Sequence, residues 1–386
     1  MSKITQKLGR FVQSLFVAPN ATYVKFNPEH HCLATPLKLE AIAANKLVTQ
    51  IDRDMHYGEK QISPMWPWGS ARVTRIEQFV SDALNSCNPG FECRFDENGR
   101  IAELTESPLG HFYYDRSILM GKLIDEGLGL TLDPYRLRPK MRLYFDVYER
   151  HALGKFGAQY FAAHPANRTP NGGQFLWESF NELISMIRAE AEARGLKTQE
   201  IAHTYRSTRT FKGMMKVVNQ CFTKRRRIFV ICMDLFFHSD WAGKVSPGRS
   251  KELHAEFVNR LRALAKIKKG LIGAIWKLEW AESRGDYFRW VFMFDGDAVQ
   301  ATWEYGEFID DLWKDIVPES AGETFVLNDE EHIAAGTGMI DLDENPEKFE
   351  IFVDSVIRYL AHKDQLLCIK REPGTRTWDS LTMPGD

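Results

Sequence analysis

The sequence has few cysteines, and their spacing fits neither a disulfide framework nor a metal site. No Cys-x-x-Cys pair and no Cys–His ligand spacing occurs among the six cysteines, which are Cys32, Cys87, Cys93, Cys221, Cys232 and Cys368. Cysteines scattered in this way are typical of a protein kept in a reducing compartment. A structural zinc site is therefore not expected.

Long apolar runs are also missing. No segment approaches the roughly 20 apolar residues that cross a bilayer. The first apolar stretch, FVQSLFV, is interrupted by Gln13 and Ser14 and is too short for a secretory signal core. A glycine-rich phosphate loop is absent as well. These absences predict a cytoplasmic protein with no membrane partner and no nucleotide-binding fold.

The chain has no excess of either charge. Its 50 Lys and Arg residues stand against 52 Asp and Glu residues, a net charge of −2. Nucleic-acid binding would therefore depend on local basic clusters. Two clusters precede predicted strands, one formed by Lys212, Lys216 and residues 224–227, and the other by Lys266, Lys268 and Lys269. They fit either phosphate contacts or a solvated rim around strand ends.

The chain is predicted to fold as two parts that meet near residue 165. Its 386 residues are too many for one small core. The stretch HPANRTPNGGQ, from His164 to Gln174, has the proline, asparagine and glycine content of a linker. We expect a mixed, mainly helical N-terminal region over residues 1–164, to which the sequence assigns no role. A second domain is expected over residues 175–386, with its core in residues 227–380.

Helix-like and strand-like patterns follow one another after the linker. Apolar residues recur at helical spacing from Phe175 to Ala193, and RIFVICMDLFF, from Arg227 to Phe237, reads as a buried strand. A helix then closes at Gly270, and a short turn joins two strand-like runs, GLIGAIWKLEW and YFRWVFMFDG. A last amphipathic helix spans Pro346 to about His362. This order favours an α+β fold, an antiparallel sheet with packed helices.

Several short segments of this half stand in a set order. They are MDLFF, WKLEW with a glycine turn after it, a strand closing in FDG, a tryptophan-rich helix, GTGMID, YLAHKD and GTRTW. Together they resemble the filamentous-phage (inovirus) replication-protein family, also described as the YagK/YfjJ C-terminal domain, from about Arg227 to the C-terminus. The resemblance implies the fold of the rolling-circle (HUH) initiators and a single-stranded or hairpin DNA partner.

Members of that family nick DNA. A strand with a histidine, an apolar residue and a second histidine holds Mg²⁺ or Mn²⁺, and a tyrosine on a late helix attacks the DNA phosphate. The resemblance places the tyrosine at Tyr359, with His362 close behind it, and the neighbouring strand's acidic residue at Glu279. The two histidine positions are occupied by Tyr287 and Arg289. Because a guanidinium repels Mg²⁺, no metal is expected unless nicking is retained.

Three functions fit these matches and departures. The first is a phage or prophage replication-initiator-like protein that binds DNA and has lost nicking. The second is an active nicking enzyme in which Arg289 neutralises the phosphate, with Glu279, His362 and Tyr359 as the other catalytic residues. The third is an inactive remnant that acts through protein contacts. Salt-sensitive DNA binding would separate the first two from the third.

Candidate contacts follow from the basic clusters and from strand alternation. Alternation puts Lys277 and Glu279 on one polar face, where Arg289 of the neighbouring strand is expected to pair with Glu279. The candidate DNA-binding residues are Lys224, Arg225, Arg226, Arg227, Lys268, Lys269 and Lys363.

Overall fold

The computed structural model describes residues 69–119, 135–157, 161–169, 172–242, 244–281, 284–299, 302–328, 335–365 and 367–382. Its helices are α1 (Gly69–Asn85), α2 (Arg116–Leu119), α3 (Pro139–Arg150), α4 (Ala152–Phe156), α5 (Leu176–Ala193), α6 (Leu196–Lys224), α7 (Ser239–Ala242), α8 (Pro247–Ala263), α9 (Ala265–Gly270), α10 (Thr302–Ile316), α11 (Pro346–Phe352) and α12 (Tyr359–His362). Its strands are β1 (Phe91–Phe95), β2 (Ile101–Glu106), β3 (Tyr135–Leu137), β4 (Arg227–Phe237), β5 (Leu271–Ala281), β6 (Gly285–Asp295), β7 (Gly322–Val326), β8 (Gly338–Asp341), β9 (Leu367–Ile369) and β10 (Trp378–Thr382). Within these ranges no helix combines the length and apolar character that a membrane crossing requires.

The described chain forms two compact units. The first unit contains residues 69–119 and 137–202, and the second unit contains residues 135–136 and 203–382. The change between them falls inside α6, after Ala202, and not in the predicted linker from His164 to Gln174. Residues 175–202 were expected in the second domain and belong instead to the first unit.

Helix α5 belongs to the first unit because its apolar face completes that unit's core. Phe180 is fully buried, with ring centroids 5.9 Å from Phe79 and 6.0 Å from Phe91. The side chain of Asn181 accepts a hydrogen bond from the backbone N–H of Phe91 (3.0 Å) and donates one to its carbonyl (2.8 Å). Helical periodicity predicts that such a face is buried, but it does not indicate which core it joins.

The second unit is built on an antiparallel sheet. The strand order is β10-β5-β6-β4-β7, and β8 pairs with the first half of β4 while β7 pairs with the second half. Each of these pairings is antiparallel. The predicted α+β class, an antiparallel sheet with packed helices, is confirmed.

Strand alternation gives this sheet two apolar faces. On one, which we call the α8 face, Phe288 and Trp290 pack with Phe257 of α8 and Trp313 of α10. The other, which we call the α6 face, is covered by α6 and by the helical run from Pro346 to His362. Its buried apolar residues include Ile228, Val230, Cys232, Ile275, Val291 and Met293 from the strands, Met214, Val218 and Phe222 from α6, and Phe352, Ile357 and Leu360 from the last helical run.

A glycine lets α6 lie close to the end of the sheet. A Cβ atom at Gly213 would stand only 2.6 Å from the ring of Trp378 on β10. A larger residue would therefore force α6 away from this strand. The last helical run includes a π-helical segment, Val353–Arg358, which ends directly before Tyr359. Segments of this kind occur frequently at functional sites.

Candidate functional site

Ionisable side chains take the place of the apolar core at one end of the α6 face. Arg289 on β6 is paired in register with Lys277 on β5 and with Asp234 on β4. All three side chains are buried, with residue exposures of 4%, 1% and 1% respectively. We call the charge cluster the set formed by Asp234, Lys277, Glu279, Arg284, Arg289, Lys363 and Asp364.

The guanidinium of Arg289 forms a bidentate ion pair, a fork of two hydrogen bonds, with the carboxylate of Asp234. Its Nε lies 2.7 Å from Oδ1, and its Nη2 lies 2.8 Å from Oδ2. Arg284 adds a second cation, with Nη1 3.7 Å from Asp234 Oδ2. The predicted ion pair between Arg289 and Glu279 is therefore wrong. Arg289 pairs instead with Asp234 of β4, the strand on the other side of β6 from β5. Planar bidentate pairs are the strongest ion-pair geometry available to arginine.

Two lysines hold Glu279. Lys277 Nζ lies 3.3 Å from Oε1, and Lys363 Nζ lies 3.1 Å from Oε2. Lys277 also donates to the carbonyl oxygen of Leu360 (2.6 Å) and to Asp364 Oδ1 (3.0 Å). This buried ammonium thus ties strand β5 to the helical run that carries Tyr359.

The surrounding charges keep Glu279 ionised. Burial by itself would raise the pKa of this carboxyl, but Lys277, Lys363 and Arg289 outweigh it and lower the pKa to about 2. Burial opposes the charge on Lys277, yet Asp364 and Glu279 raise the pKa of that ammonium above its ordinary value. The groups therefore hold one another in their charged forms.

Replacing Glu279 with glutamine should show this linkage as a pH dependence of stability. The folded-state pKa of about 2 lies below the ordinary value of 4.5. The ionised carboxylate therefore stabilises the fold above pH 4.5, and this contribution is lost as the pH falls towards 2. Glu279→Gln should be less stable than the native protein at pH 7. The gap, which is the difference in free energy of unfolding between the two proteins, should narrow at pH 4 and again at pH 3. Urea unfolding at these three pH values measures the gap, and a constant gap would count against the linkage.

The donor set does not fit a divalent cation. The charge cluster contains four cationic side chains, Lys277, Arg284, Arg289 and Lys363, against three carboxylates. Mg²⁺ and Mn²⁺ need oxygen ligands whose charge is not already neutralised. In the ranges given above, no group of three or more His, Cys, Asp or Glu residues is placed to hold a metal ion.

Tyr359 adjoins the charge cluster, and His362 makes its contacts elsewhere. The residue Tyr359 is 2% exposed, and Lys363 Nζ lies 5.8 Å from the centroid of its ring. His362 has its Nδ1 2.9 Å from the carbonyl oxygen of Arg358, and its ring packs on Phe211. Burial lowers the pKa of His362, which favours the neutral imidazole. Tyr359 and Lys363 therefore lie side by side, whereas His362 contacts Phe211.

The arginine run at the start of β4, residues 225–227, is paired with aspartates. The shortest ion-pair contacts are Arg225 with Asp295 (2.8 Å), Arg226 with Asp343 (2.6 Å) and Arg227 with Asp297 (3.3 Å). These three candidate DNA-binding residues thus have their charge balanced locally. The aspartates come from distant parts of the chain, so the sequence alone did not indicate the pairing.

The other candidate DNA-binding lysines are in different surroundings. Lys224 and Lys269 are exposed. The side chain of Lys268 lies outside the described residues. Lys363 is 9% exposed and contacts Glu279, so it faces the charge cluster and not the surface.

A basic stripe runs along the exposed side of α6. It consists of Arg206, Arg209, Lys212 and Lys216, and we call it the α6 stripe. Their spacings of three and four residues keep them on one side of the helix. None of the residues that the structure describes forms a salt bridge or a side-chain hydrogen bond with these four residues. No Asp or Glu occurs between His203 and Arg227.

Sequence reasoning missed two features of the second unit, although each had a signal in the sequence. Arg206 and Arg209 extend the basic cluster, and the absence of acidic residues from His203 to Arg227 was the feature that would have shown it. Asp234 stands within an otherwise apolar strand, RIFVICMDLFF. A buried carboxylate requires a partner, so its position already called for a cation on a neighbouring strand.

The geometry brings Glu279, Arg289, Tyr359 and Lys363 to one end of the α6 face and leaves His362 and the arginine run apart from them. Comparisons of the chain with protein-family models, with curated proteins and with solved structures found no match.

Proposed function

We propose that this protein binds single-stranded DNA, as a replication-initiator-like protein of the phage type that the sequence resembles, and that it does not nick the strand. The observation that carries the proposal is the α6 stripe, four exposed cationic side chains without an anionic partner among the described residues. Solvated cations of this kind release counterions from the phosphates that they contact.

The length and composition of the stripe suit a flexible strand. From Arg206 to Lys216 a helix rises about 15 Å, which spans several phosphates of one strand. Tyr205, which is 66% exposed, precedes Arg209 by one turn and offers a ring on which a base can stack. Because the whole chain has a net charge of −2, the stripe is a local positive region and not part of a general basic surface.

The charge cluster supports the absence of nicking. A phosphoryl-transfer arginine must be available to the phosphate, whereas Arg289 is buried and bonded at two points to Asp234. Glu279 is held by two lysines, and Tyr359 is buried. The unpartnered stripe also favours DNA binding over the reading in which the fold acts only through protein contacts.

A denaturing gel tests the proposal. The protein is incubated with end-labelled single-stranded and hairpin DNA in the presence of Mg²⁺, Mn²⁺ or a chelator. We expect retention of DNA under native conditions and no covalent band after denaturation. Tyr359→Phe should retain DNA as the native protein does, because it removes one buried hydroxyl. A covalent band that disappears in Tyr359→Phe would show a working nicking enzyme and contradict the proposal.

A further inference from the structure

A cleft lies on the α8 face, on the opposite side of the sheet from the charge cluster. Its volume is about 650 Å³, which is within the range of small-molecule sites. Helix α8, the ends of β5 and β6, strand β10 and residues 372–376 form its walls. The floor is apolar and includes Leu278, Phe288 and the partly buried Trp276.

His254 lines this cleft with an unpartnered nitrogen. The residue is 4% exposed, and its ring stacks on Phe288 with centroids 3.7 Å apart and packs edge-on against Trp276 at 4.5 Å. Burial lowers its pKa to about 3, so the imidazole is neutral at pH 7. Its buried Nε2 has no hydrogen-bond partner among the described residues. Buried polar atoms normally have a hydrogen-bond partner. A ligand in the adjoining cleft would supply one for this nitrogen.

The rim of the cleft carries a small excess of positive charge. Arg376 is paired with Asp379, and Lys251 donates only a 3.4 Å hydrogen bond to Thr375. Arg262 is exposed and has no partner among the residues described. Glu372 is the acidic group that remains unpaired in the lining, so Lys251 and Arg262 outnumber it.

We propose that this cleft binds a nucleotide-like ligand, an aromatic ring joined to an anionic group. The ring would lie against Trp276 and exchange a hydrogen bond with His254 Nε2, because a neutral imidazole can pair with a ring amine or carbonyl. The anionic group would be held by Arg262 and Lys251 at the rim. The ligand is either a free mononucleotide or one unit of a DNA strand. The inference stands on the cleft alone and does not depend on the α6 stripe.

Calorimetric titration with AMP and dTMP, and with adenosine and inorganic phosphate as part-ligands, tests the inference. We expect the full chain to bind at least one of the two nucleotides, and adenosine and phosphate to bind about tenfold more weakly. The double variant Lys251→Gln/Arg262→Gln should weaken nucleotide binding by a similar factor. His254→Phe keeps an aromatic ring in the stack and should also weaken binding, with circular dichroism and thermal unfolding used to establish that it folds.

The matched control is Arg260→Gln. Arg260 lies on the same helix, does not line the cleft, and is paired with Glu256 and Asp315. Its loss should leave nucleotide binding unchanged. Absence of binding by both nucleotides at millimolar concentration, or equal binding by all variants, would overturn the inference.

Competition between AMP and a single-stranded oligonucleotide would assign the cleft to a unit of the strand, and lack of competition would assign it to a free nucleotide. Failure of DNA retention alone would affect only the α6 stripe.

Discussion

Replacement of Arg289 by methionine is expected to destabilise the second unit by about 3–5 kcal/mol, because it leaves a buried carboxylate without its main partner. Asp234 is 1% exposed, and its two oxygens accept the two hydrogen bonds of the Arg289 fork. Methionine has an unbranched stem of similar reach, so the change removes charge with little loss of packing. Urea unfolding followed by tryptophan fluorescence measures the effect, since Trp290 and Trp313 are buried in this unit.

The double variant Asp234→Leu/Arg289→Met distinguishes an unpaired charge from lost packing. Replacing both members of a buried pair with apolar groups is often neutral, so the double variant should recover most of the stability that Arg289→Met loses. Arg260→Met serves as the surface control. It should change the free energy of unfolding little, because the side chains of its partners Glu256 and Asp315 are exposed to solvent. A double variant as unstable as the single one would show that the ion pair is not the cause.

Removal of three charges from the α6 stripe is expected to weaken DNA binding about 100-fold at roughly 0.1 M salt. The variant is Arg209→Gln/Lys212→Gln/Lys216→Gln. Each phosphate contact with a single strand contributes about 0.7 to the slope of log affinity against log salt, so three lost contacts should reduce this slope by about 2. Fluorescence anisotropy with a labelled single strand at several salt concentrations gives both quantities.

The matched control removes the same charge from the paired arginines. Arg225→Gln/Arg226→Gln/Arg227→Gln also deletes three positive charges, but those side chains are bonded to aspartates. The control should change both the affinity and the slope less than the stripe variant does, because its side chains are not expected to contact phosphates. A fall in slope with the control and not with the stripe variant would place the DNA contacts at the start of β4, as the sequence first indicated.

Local pattern was enough to predict the three long strands of the second unit. The continuous apolar run from Arg227 to Phe237 became β4, and the two runs around the short turn became β5 and β6. In the first unit, the turn between β1 and β2 includes Gly99, whose φ of +70° is a conformation that glycine adopts without a steric penalty. Each of these features depends on neighbours in sequence.

Features that depend on long-range pairing could not be predicted. The hairpin of β5 and β6 is local, so its pattern pairs Arg289 only with residues of β5. Its partner Asp234 lies on β4, 55 residues away, and becomes adjacent only when β4 pairs with β6. Likewise, Asp343 reaches Arg226 from 117 residues further along the chain. Charge counted along the sequence therefore overstated the basic character of the arginine run.

The most direct test of the central claim is the salt dependence of single-stranded DNA binding by the unmodified protein. Four contacts from the α6 stripe predict a slope of log affinity against log salt of about −3. Measured by anisotropy from low to physiological salt, a slope of this size would support DNA binding through the stripe. Binding that does not change with salt, or no binding at the lowest salt concentration, would contradict it.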